Sequence, residues 1–295
     1  MNVFGLLSGR GISRRSLAVA AALVGAVSLA IGAHAALNMR TSDAAKAAAA
    51  EQADNALRRP SRIALVIGNG HYPDANVPLA QPVNDARAVS AALRHEGFDV
   101  DVIEDASHDD MTRAVARLKA KVRQDSVVML FFGGYGIQVG RESFMIPVDA
   151  TIWKEADVRR EGVSVESVLD AVKDFGACAK LVVLDASRRN PYERRFRTFS
   201  HGLAPITVPD NALILTSASP GAVADDSTGE NSVLVTELLT NINTKADRAR
   251  AAEVIFNQTR VAISRASDGA QVPSVSSSLM EDVSFNANAA GKTGG

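Results

Sequence analysis

The chain has 295 residues, which is enough for one large α/β domain or two small ones. Its hydrophobic content of 46% and charged content of 22% are typical of a globular protein and exclude a largely disordered chain. The formal net charge of -1 argues against nucleic acid as a partner, and a single cysteine excludes a disulfide framework or a cysteine-rich metal site.

The N-terminal segment, residues 1–37, is predicted to lie outside the fold. A basic stretch containing Arg14-Arg15 precedes an uncharged apolar stretch, 16–37, and a small-x-small cleavage pattern ends at Ala35. This order predicts a secretory signal, and the paired arginines also resemble a twin-arginine export signal. The alternative is an uncleaved membrane anchor over 16–37, which would contact the membrane. Both interpretations place the remainder outside a bacterial cytoplasm, either periplasmic or membrane-anchored.

The rest of the chain divides into an alanine-rich helical linker (38–61), one folded domain (62–286) and a disordered tail (287–295). Within the domain, short β-branched runs alternate with amphipathic stretches, which predicts an α/β fold with a mostly parallel central sheet and helices on both faces. The predicted strands are 63–67, 98–103, 127–132, 181–184 and 212–216, with a hairpin over 136–147 and one edge strand after Gly269. The predicted helices are 83–95, with Asn84 or Asp85 near its cap, 109–122, opened by Ser107 or Asp109, and then 164–175, 231–241 and 248–266.

Two of these strands end in polar residues. The run 127–136, VVMLFFGGYG, leads into Tyr135, and the run 181–191, LVVLDASRRNP, leads into Asp185 and Ser187. Parallel sheets carry their chemistry just beyond the carboxyl ends of the strands. We therefore expect the functional site where these two strand ends meet.

Several common sites are excluded by what the sequence lacks. Gly68-Asn69-Gly70 has Pro73 where a dinucleotide fingerprint needs glycine, and 133–140 lacks the Lys-Ser/Thr of a phosphate-binding loop, so no cofactor is predicted. Asp185 lacks the acidic pair that a receiver domain uses to hold Mg²⁺, and no other metal site is predicted. Cys178 precedes its strand, at the opposite end of the sheet from the site, and is interpreted as a buried structural thiol.

Six stretches carry a resemblance to a known family. In chain order they are RIALVIGNGHY (62–72), LAQPVNDARAVSAALRHEGFDV (79–100), VVMLFFGGYGIQVGRESFMIPVDA (127–150), LVVLDASRRNP (181–191), SASPGAVADD (217–226) and QVPSVSSSL (271–279). Together they resemble the caspase fold as found in bacterial metacaspases, also called orthocaspases. The resemblance implies a caspase-like α/β/α sandwich from residue 62 to about residue 285.

The resemblance also implies where a catalytic dyad should be. Metacaspases carry a His after the third strand, in a YAGHG-like context, and a Cys after the fourth, in a DACRNNP-like context. Those positions are Tyr135 and Ser187 here, at an interval near the family's spacing of about 50 residues. A neutral tyrosine is a poor proton acceptor, and a serine hydroxyl is far less acidic than a thiol. Because both dyad residues are replaced, a non-catalytic pseudo-peptidase is predicted. The resemblance leaves an oxyanion hole from Gly133, Gly134 and the backbone at Ser187, which supplies only residual catalysis.

A ligand-binding role is predicted for the cleft that the resemblance implies at these two strand ends. Asp185 matches the acidic residue that metacaspases direct at a basic P1 side chain, and Asp225 and Asp226 add negative charge nearby. The protein is thus expected to bind a peptide or protein, with a basic extended peptide as one candidate, or to regulate active relatives. The other interpretation is that Asp185 binds the backbone of a neighbouring loop.

Enzymatic alternatives stay open at this point. One is residual caspase-type peptidase activity with basic P1 preference, and another is a serine hydrolase in which His201 is the base for Ser187. His71 follows the first strand and lies at the same edge of the sheet, although surface histidines explain both residues equally well. The basic run formed by Arg188, Arg189 and residues 193–197 is either a solvated loop or a contact surface for an acidic partner or lipid headgroups.

Overall fold

A computed structural model of the chain describes residues 61–74, 78–195, 202–224, 229–244 and 250–286, together with Lys46. Contacts divide the chain into two units, Met1–Arg59 and Pro60–Gly295, and the strands and helices that build the sheet belong to the second. The predicted signal or anchor, nearly all of the predicted linker and the predicted tail lie outside the described residues. In the part of the chain that is described, no helix is both long and apolar enough to cross a bilayer.

The described residues form nine strands and six helices. The strands are β1 (Arg62–Gly68), β2 (Asp99–Glu104), β3 (Val127–Gly133), β4 (Gly136–Val139), β5 (Glu142–Met145), β6 (Val163–Ser164), β7 (Ala179–Asp185), β8 (Ala212–Thr216) and β9 (Ser274–Ser277). The helices are α1 (Pro82–His95), α2 (His108–Lys121), α3 (Glu155–Glu161), α4 (Val165–Asp174), α5 (Val233–Ile242) and α6 (Ala252–Ala266).

The central sheet has the strand order β2-β1-β3-β7-β8-β9. All neighbouring strands are parallel except β9, which pairs antiparallel with β8 at one edge. A separate antiparallel sheet contains β4, β5 and β6. The predicted α/β class, the hairpin and the edge strand after Gly269 are confirmed.

The core follows the two-residue alternation of the strands. On one face, Ile63, Leu65 and Ile67 of β1 share a cluster with residues of α2 and α4. On the other face, Ala64 and Val66 share a cluster with residues of α1, α5 and α6. The domain is therefore an α/β/α sandwich, as predicted, because the inner strands β1, β3, β7 and β8 are buried on both faces.

The sequence was incomplete as a guide at two places. Helix α1 begins at Pro82, so Asn84 and Asp85 lie near its cap, as predicted, but the N-cap residue itself is Gln81. Helix α3 and the short strand β6 were not predicted, because their seven and two residues are too few to show an apolar period. The prediction for α2 is confirmed, since the Ser107 side chain accepts a hydrogen bond from the Asp110 N–H in a capping box.

The interpretation of Cys178 as a buried thiol is wrong. Cys178 is exposed and its Sγ lies 3.3 Å from the carbonyl oxygen of Asp125. It precedes β7 at the amino-terminal end of the sheet, as the sequence indicated, but the chain enters the strand there from the surface. Partial burial raises the pKa of its thiol above the ordinary value, so it lacks the character of an activated nucleophile.

Asp85 joins two helices that are distant in the sequence. Although it lies within α1, its Oδ1 accepts hydrogen bonds from the Asn231 side chain (2.8 Å) and the Ser232 N–H (3.0 Å), just before α5. Asp85 is fully buried. Burial, and then the negative charge of Asp185, raise the pKa of Asp85 to about 6.

Glycine is required at the end of β1, because α1 crosses there in close contact. A Cβ on Gly68 would lie 2.2 Å from the Pro82 carbonyl oxygen and 2.7 Å from the Ala86 Cβ. Gly68→Ala should therefore lower the free energy of unfolding by about 1–3 kcal/mol or more. Gly133→Ala is the matched control in urea denaturation, since its Cβ would come no closer than 3.4 Å to its neighbours. Equal unfolding midpoints for Gly68→Ala and the wild type would contradict the close contact.

The raised pKa of Asp85 predicts a pH dependence of stability. A carboxyl whose folded pKa lies above its unfolded value stabilises the fold below the unfolded value, and that contribution is lost as the pH rises through the folded value. The free energy of unfolding of the wild type, relative to Asp85→Asn, should thus fall by about 3 kcal/mol between about pH 4 and pH 7. Urea titrations across this range measure the difference.

Asp105→Asn is the control for this titration. Partial burial opposes the change, but hydrogen bonds from the backbone N–H groups of His71 and Gly70 lower the pKa of the Asp105 carboxyl. The stabilising contribution of Asp105 should therefore be present above its unfolded pKa and lost as the pH falls, which is the opposite sign. Parallel profiles for the wild type and Asp85→Asn would contradict the prediction.

Candidate functional site

The two predicted strand ends meet at the carboxyl edge of the sheet. In the parallel pair β3 and β7, Gly133 is in register with Asp185. The pairing continues beyond the strands, because the Gly134 N–H donates to the Asp185 carbonyl (3.2 Å) and the Gly136 N–H donates to the Ala186 carbonyl (3.0 Å). Tyr135 and Ser187 thus lie on adjacent hydrogen-bonded segments, as expected from the sequence.

Ser187 points into the protein. Its exposed fraction is 0%, and among the described residues its Oγ has no hydrogen-bond partner. Its N–H donates to Ser217 Oγ (3.2 Å) and its carbonyl accepts from the Ala224 N–H (2.6 Å). A serine nucleophile needs a base within about 3 Å and access to its substrate. In the described part of the structure Ser187 has neither.

Tyr135 and Tyr72 form an aromatic pair that packs with residues of the antiparallel sheet β4–β6. The Tyr135 ring packs edge-on against Tyr72, with centroids 4.8 Å apart and planes at 65°. Its N–H donates to Tyr72 Oη (3.1 Å), and that hydroxyl in turn donates to the carbonyl of Ile146 (3.0 Å). Burial raises the pKa of Tyr72 far above its ordinary value, so Tyr72 stays neutral. A role for Tyr72 was not predicted from the sequence, although its position just after β1 places it at the same edge of the sheet.

The predicted oxyanion donors are engaged within the chain. The Gly134 N–H is used by Asp185 and the Ser187 N–H by Ser217, while the Gly133 carbonyl accepts from the Asn69 N–H (2.9 Å). An oxyanion hole needs N–H groups that point at the developing charge and are not otherwise occupied. In this structure, two of the backbone groups assigned to that role hold the strand ends together instead.

Asp185 forms a buried ion pair with its own loop. Its Oδ2 lies 3.7 Å from the Arg188 guanidinium, and the two side chains are 3% and 5% exposed. At that distance the contact is Coulombic rather than a hydrogen bond. Asp185 raises the pKa of Asp85 and Arg188 lowers it, so the three side chains form one electrostatic cluster, which we call the Asp85–Asp185–Arg188 cluster. Asp85 had no functional role in the sequence analysis.

The other predicted residues are distributed unevenly. His201, Asp225 and Asp226 lie outside the described residues. His71 is highly exposed and its Nδ1 lies 2.6 Å from Asp105 Oδ2, so a carboxylate orients the ring at the surface. No cluster of three or more His, Cys, Asp or Glu side chains suited to a metal ion occurs in the described ranges.

The basic run is divided between paired and exposed arginines. Arg195 pairs with Asp74 (2.8 Å), and its guanidinium lies over the rings of Trp153 and Tyr192 at 4.7 and 5.4 Å. Arg189 and Arg194 are exposed. The loop after β7 is therefore anchored at Arg188 and Arg195 and presents Arg189 and Arg194 to solvent.

A cleft of about 480 Å³ opens beside Tyr135. Its wall combines apolar side chains with the arginine-rich loop, and neither Ser187 nor Asp185 is among its described lining residues. The lining residues are Leu79, Tyr135, Arg188, Arg189, Asn190, Pro191, Glu193, Arg194, Val223 and Ala224. The cleft thus reaches Tyr135, whereas Ser187 is not among its described lining residues.

Comparison with known proteins is consistent with this geometry. The sequence model of the caspase domain, Peptidase_C14, matches residues 61–284. The human mucosa-associated lymphoid tissue lymphoma translocation protein 1 is 28% identical over 134 residues, which cover 45% of this chain and 16% of that protein. The chain therefore spans only a small part of this curated relative.

A solved structure supports the same fold. The crystal structure of protein GSU0716 from Geobacter sulfurreducens is similar with a TM-score of 0.55 and 17% identity, over 77% of this chain and 96% of that one. At this identity the likeness concerns the fold alone. The family match covers both strand ends and the cleft between them, and the chain belongs to the caspase-domain family.

Proposed function

We propose that this protein is a non-catalytic member of the caspase-domain family, a pseudo-peptidase that uses the cleft beside Tyr135 to bind an extended segment of a peptide or protein. The observation that carries the proposal is the burial of Ser187 behind that cleft, with both of its backbone hydrogen-bonding groups engaged. Regulation of active relatives by competition for shared partners is one form that such binding takes.

The chemistry of the two replaced positions supports the loss of catalysis. Serine and tyrosine stand where a thiolate and an imidazole would share a proton, and neither has a suitable acidity at neutral pH. Removing either the nucleophile or the base alone in a serine protease costs roughly 10⁶ in turnover. A hydroxyl without an accessible surface is not available to a peptide carbonyl in any case.

The cleft itself supports a binding role. Its volume of about 480 Å³ lies within the range of roughly 300–1,000 Å³ that is usual for ligand pockets. Apolar side chains from three separate segments, Leu79, Tyr135 and Val223, converge on it. Because the sheet and helices position these segments, and Ser187 is not among the lining residues, the shape of the cleft does not depend on a nucleophile at position 187.

The proposed place of action is outside the bacterial cytoplasm. The support is the sequence pattern of residues 1–37, which combines a basic stretch, an apolar stretch and a small-x-small site. Fusion of residues 1–37 to a reporter that is active only after export tests this part separately.

One prediction from the proposed function concerns catalysis. The wild type should release no fluorophore above the blank from arginine- and lysine-terminated fluorogenic peptides, and Ser187→Ala should leave that result unchanged, because the Ser187 hydroxyl is buried. Turnover by the wild type that Ser187→Ala abolishes would contradict the proposal.

The double variant Tyr135→His/Ser187→Cys is the informative companion. It restores the family's residue types but leaves the Gly134 and Ser187 N–H groups engaged, so we expect it to remain at the blank. If it turns over peptides, the loss of activity lies in the two side chains alone and the cleft is otherwise competent.

The second prediction concerns binding. Peptides selected from a displayed library of extended sequences should bind about tenfold more weakly, equivalent to about 1.4 kcal/mol, when Val223→Trp fills the cleft. Val261→Trp, on the exposed face of α6, is the matched control and should keep wild-type affinity. Affinities measured by fluorescence anisotropy decide the outcome, and equal binding to both tryptophan variants would place the peptide site elsewhere.

A further inference from the structure

We infer that the cleft beside Tyr135 selects an acidic peptide segment, whose carboxylates are bound by the guanidinium groups of Arg189 and Arg194 and by the side-chain amide of Asn190. The inference rests on the proposed function, because it names the ligand class of that cleft. It replaces the basic peptide that the sequence offered as one candidate ligand.

The charged groups that line the cleft are mostly cationic. The described lining contains three arginines, Arg188, Arg189 and Arg194, and one carboxylate, Glu193. Arg188 is paired with Asp185, which lies 3.7 Å from its guanidinium and is not a described lining residue. Arg189 and Arg194 are exposed, and within the described ranges neither has an ion-pair partner. The cleft therefore presents two guanidinium groups to a ligand.

Asn190 supplies a neutral donor at the same place. It is 4% exposed and lines the cleft. Its Oδ1 accepts a hydrogen bond from the Tyr192 N–H (2.9 Å), which fixes the orientation of the amide, and in the described part of the chain its Nδ2 has no hydrogen-bond partner. A buried amide donor without a partner is unfavourable, so an acceptor on the ligand would stabilise it. A carboxylate, which only accepts hydrogen bonds, suits both the amide and the guanidinium groups.

The remaining lining residues favour ion pairing within the cleft. They are Leu79, Tyr135, Pro191, Val223 and Ala224, and none of them is an Asp, Glu, Lys, Arg or His. Apolar surroundings lower the local dielectric constant, so an ion pair beside them is stronger than the same pair on an open surface. A basic ligand would instead meet two like charges there.

The loop that carries the three donors is ordered in the absence of a ligand. The Glu193 N–H donates to the Asn190 carbonyl (3.3 Å), and the Arg195 N–H donates to the Tyr192 carbonyl (2.8 Å), which closes two successive turns. The Arg195 guanidinium then pairs with Asp74 (2.8 Å) at the end of the loop. Because the backbone is already held, binding loses less conformational entropy than it would with an unstructured loop.

Two acidic residues of the chain are competitors for these arginines. Asp225 and Asp226 follow Ala224, which lines the cleft, and they lie outside the described residues. If they neutralised Arg189 and Arg194, the cleft would have no preference for an acidic ligand. The experiment therefore includes Asp225→Asn/Asp226→Asn, which should keep the preference of the wild type.

The first experiment selects peptides from a displayed library of random extended sequences, with the full chain as the target. The wild type should enrich Asp and Glu over Lys and Arg by about tenfold relative to the unselected library. Arg189→Gln/Arg194→Gln should abolish this enrichment at an unchanged Tm, because both side chains are exposed. The matched control is Arg113→Gln/Arg265→Gln, which removes the same charge from the exposed faces of α2 and α6 and should keep the enrichment.

The second experiment compares one selected acidic peptide with its isostere, in which every Asp and Glu is replaced by Asn or Gln. In fluorescence anisotropy the isostere should bind the wild type about tenfold more weakly, since each exposed ion pair contributes roughly two- to fivefold. Arg189→Gln/Arg194→Gln should bind both peptides equally. Asn190→Asp keeps the acceptor for the Tyr192 N–H but removes the amide donor, so it should weaken the acidic peptide more than the isostere. High salt should reduce the difference between the two peptides.

The outcomes separate this inference from the proposed function. Selected peptides without an acidic excess, or equal affinity of both peptides for the wild type, would overturn the inference and leave peptide binding intact. An acidic preference that appears only in Asp225→Asn/Asp226→Asn would also overturn it, because the arginines would then be neutralised within the chain. Failure to select any peptide would contradict the proposed function itself. If the wild type then bound anionic lipid vesicles through Arg189 and Arg194, those arginines would belong to a lipid-binding surface instead.

Discussion

The buried ion pair between Asp185 and Arg188 is the interaction on which the candidate site depends. It closes a four-residue loop at the end of β7, and Ser187 lies inside that loop. With both ends of the loop held, the Ser187 side chain turns into the protein and its N–H reaches Ser217. Loss of one partner from a buried pair costs about 3–5 kcal/mol, because the other charge stays buried. The same contact that stabilises the strand end therefore keeps Ser187 buried.

The electrostatics of this edge also join distant parts of the fold. Asp85 receives hydrogen bonds from the residues that precede α5 and interacts with the charges of Asp185 and Arg188. Helices α1 and α5 lie on the same face of the sheet, so their mutual position depends partly on this carboxyl. A group of charged residues at the carboxyl edge of a parallel sheet usually indicates a ligand site. Here Asp185 and Arg188 pair with each other, and the charges of both act on Asp85.

The sequence predicted the layers of this fold well and its long-range polar contacts poorly. Apolar runs such as 127–132 and 212–216 agree with β3 and β8 because strands buried on both faces leave a local signal. Asp85 was placed only near the cap of its own helix, whereas its partners lie 146 and 147 residues further along the chain. Nothing in the neighbouring residues encodes such a contact. The same holds for the pairing of Tyr72 with Tyr135, which depends on the second sheet folding over the end of β1.

Residue types and residue availability are different properties, and the site illustrates the distinction. The residue types at positions 135 and 187 suffice to predict that a thiol and an imidazole are missing. They do not predict whether the neighbouring backbone N–H groups are already hydrogen-bonded within the chain. Each oxyanion donor is worth about 10²–10³ in rate, so engagement of the Gly134 and Ser187 N–H groups would add to the proposed loss of the dyad. Because such losses act on one transition state, they are not additive. Restoring the two side chains therefore leaves a site whose nucleophile is still enclosed by the Asp185–Arg188 pair.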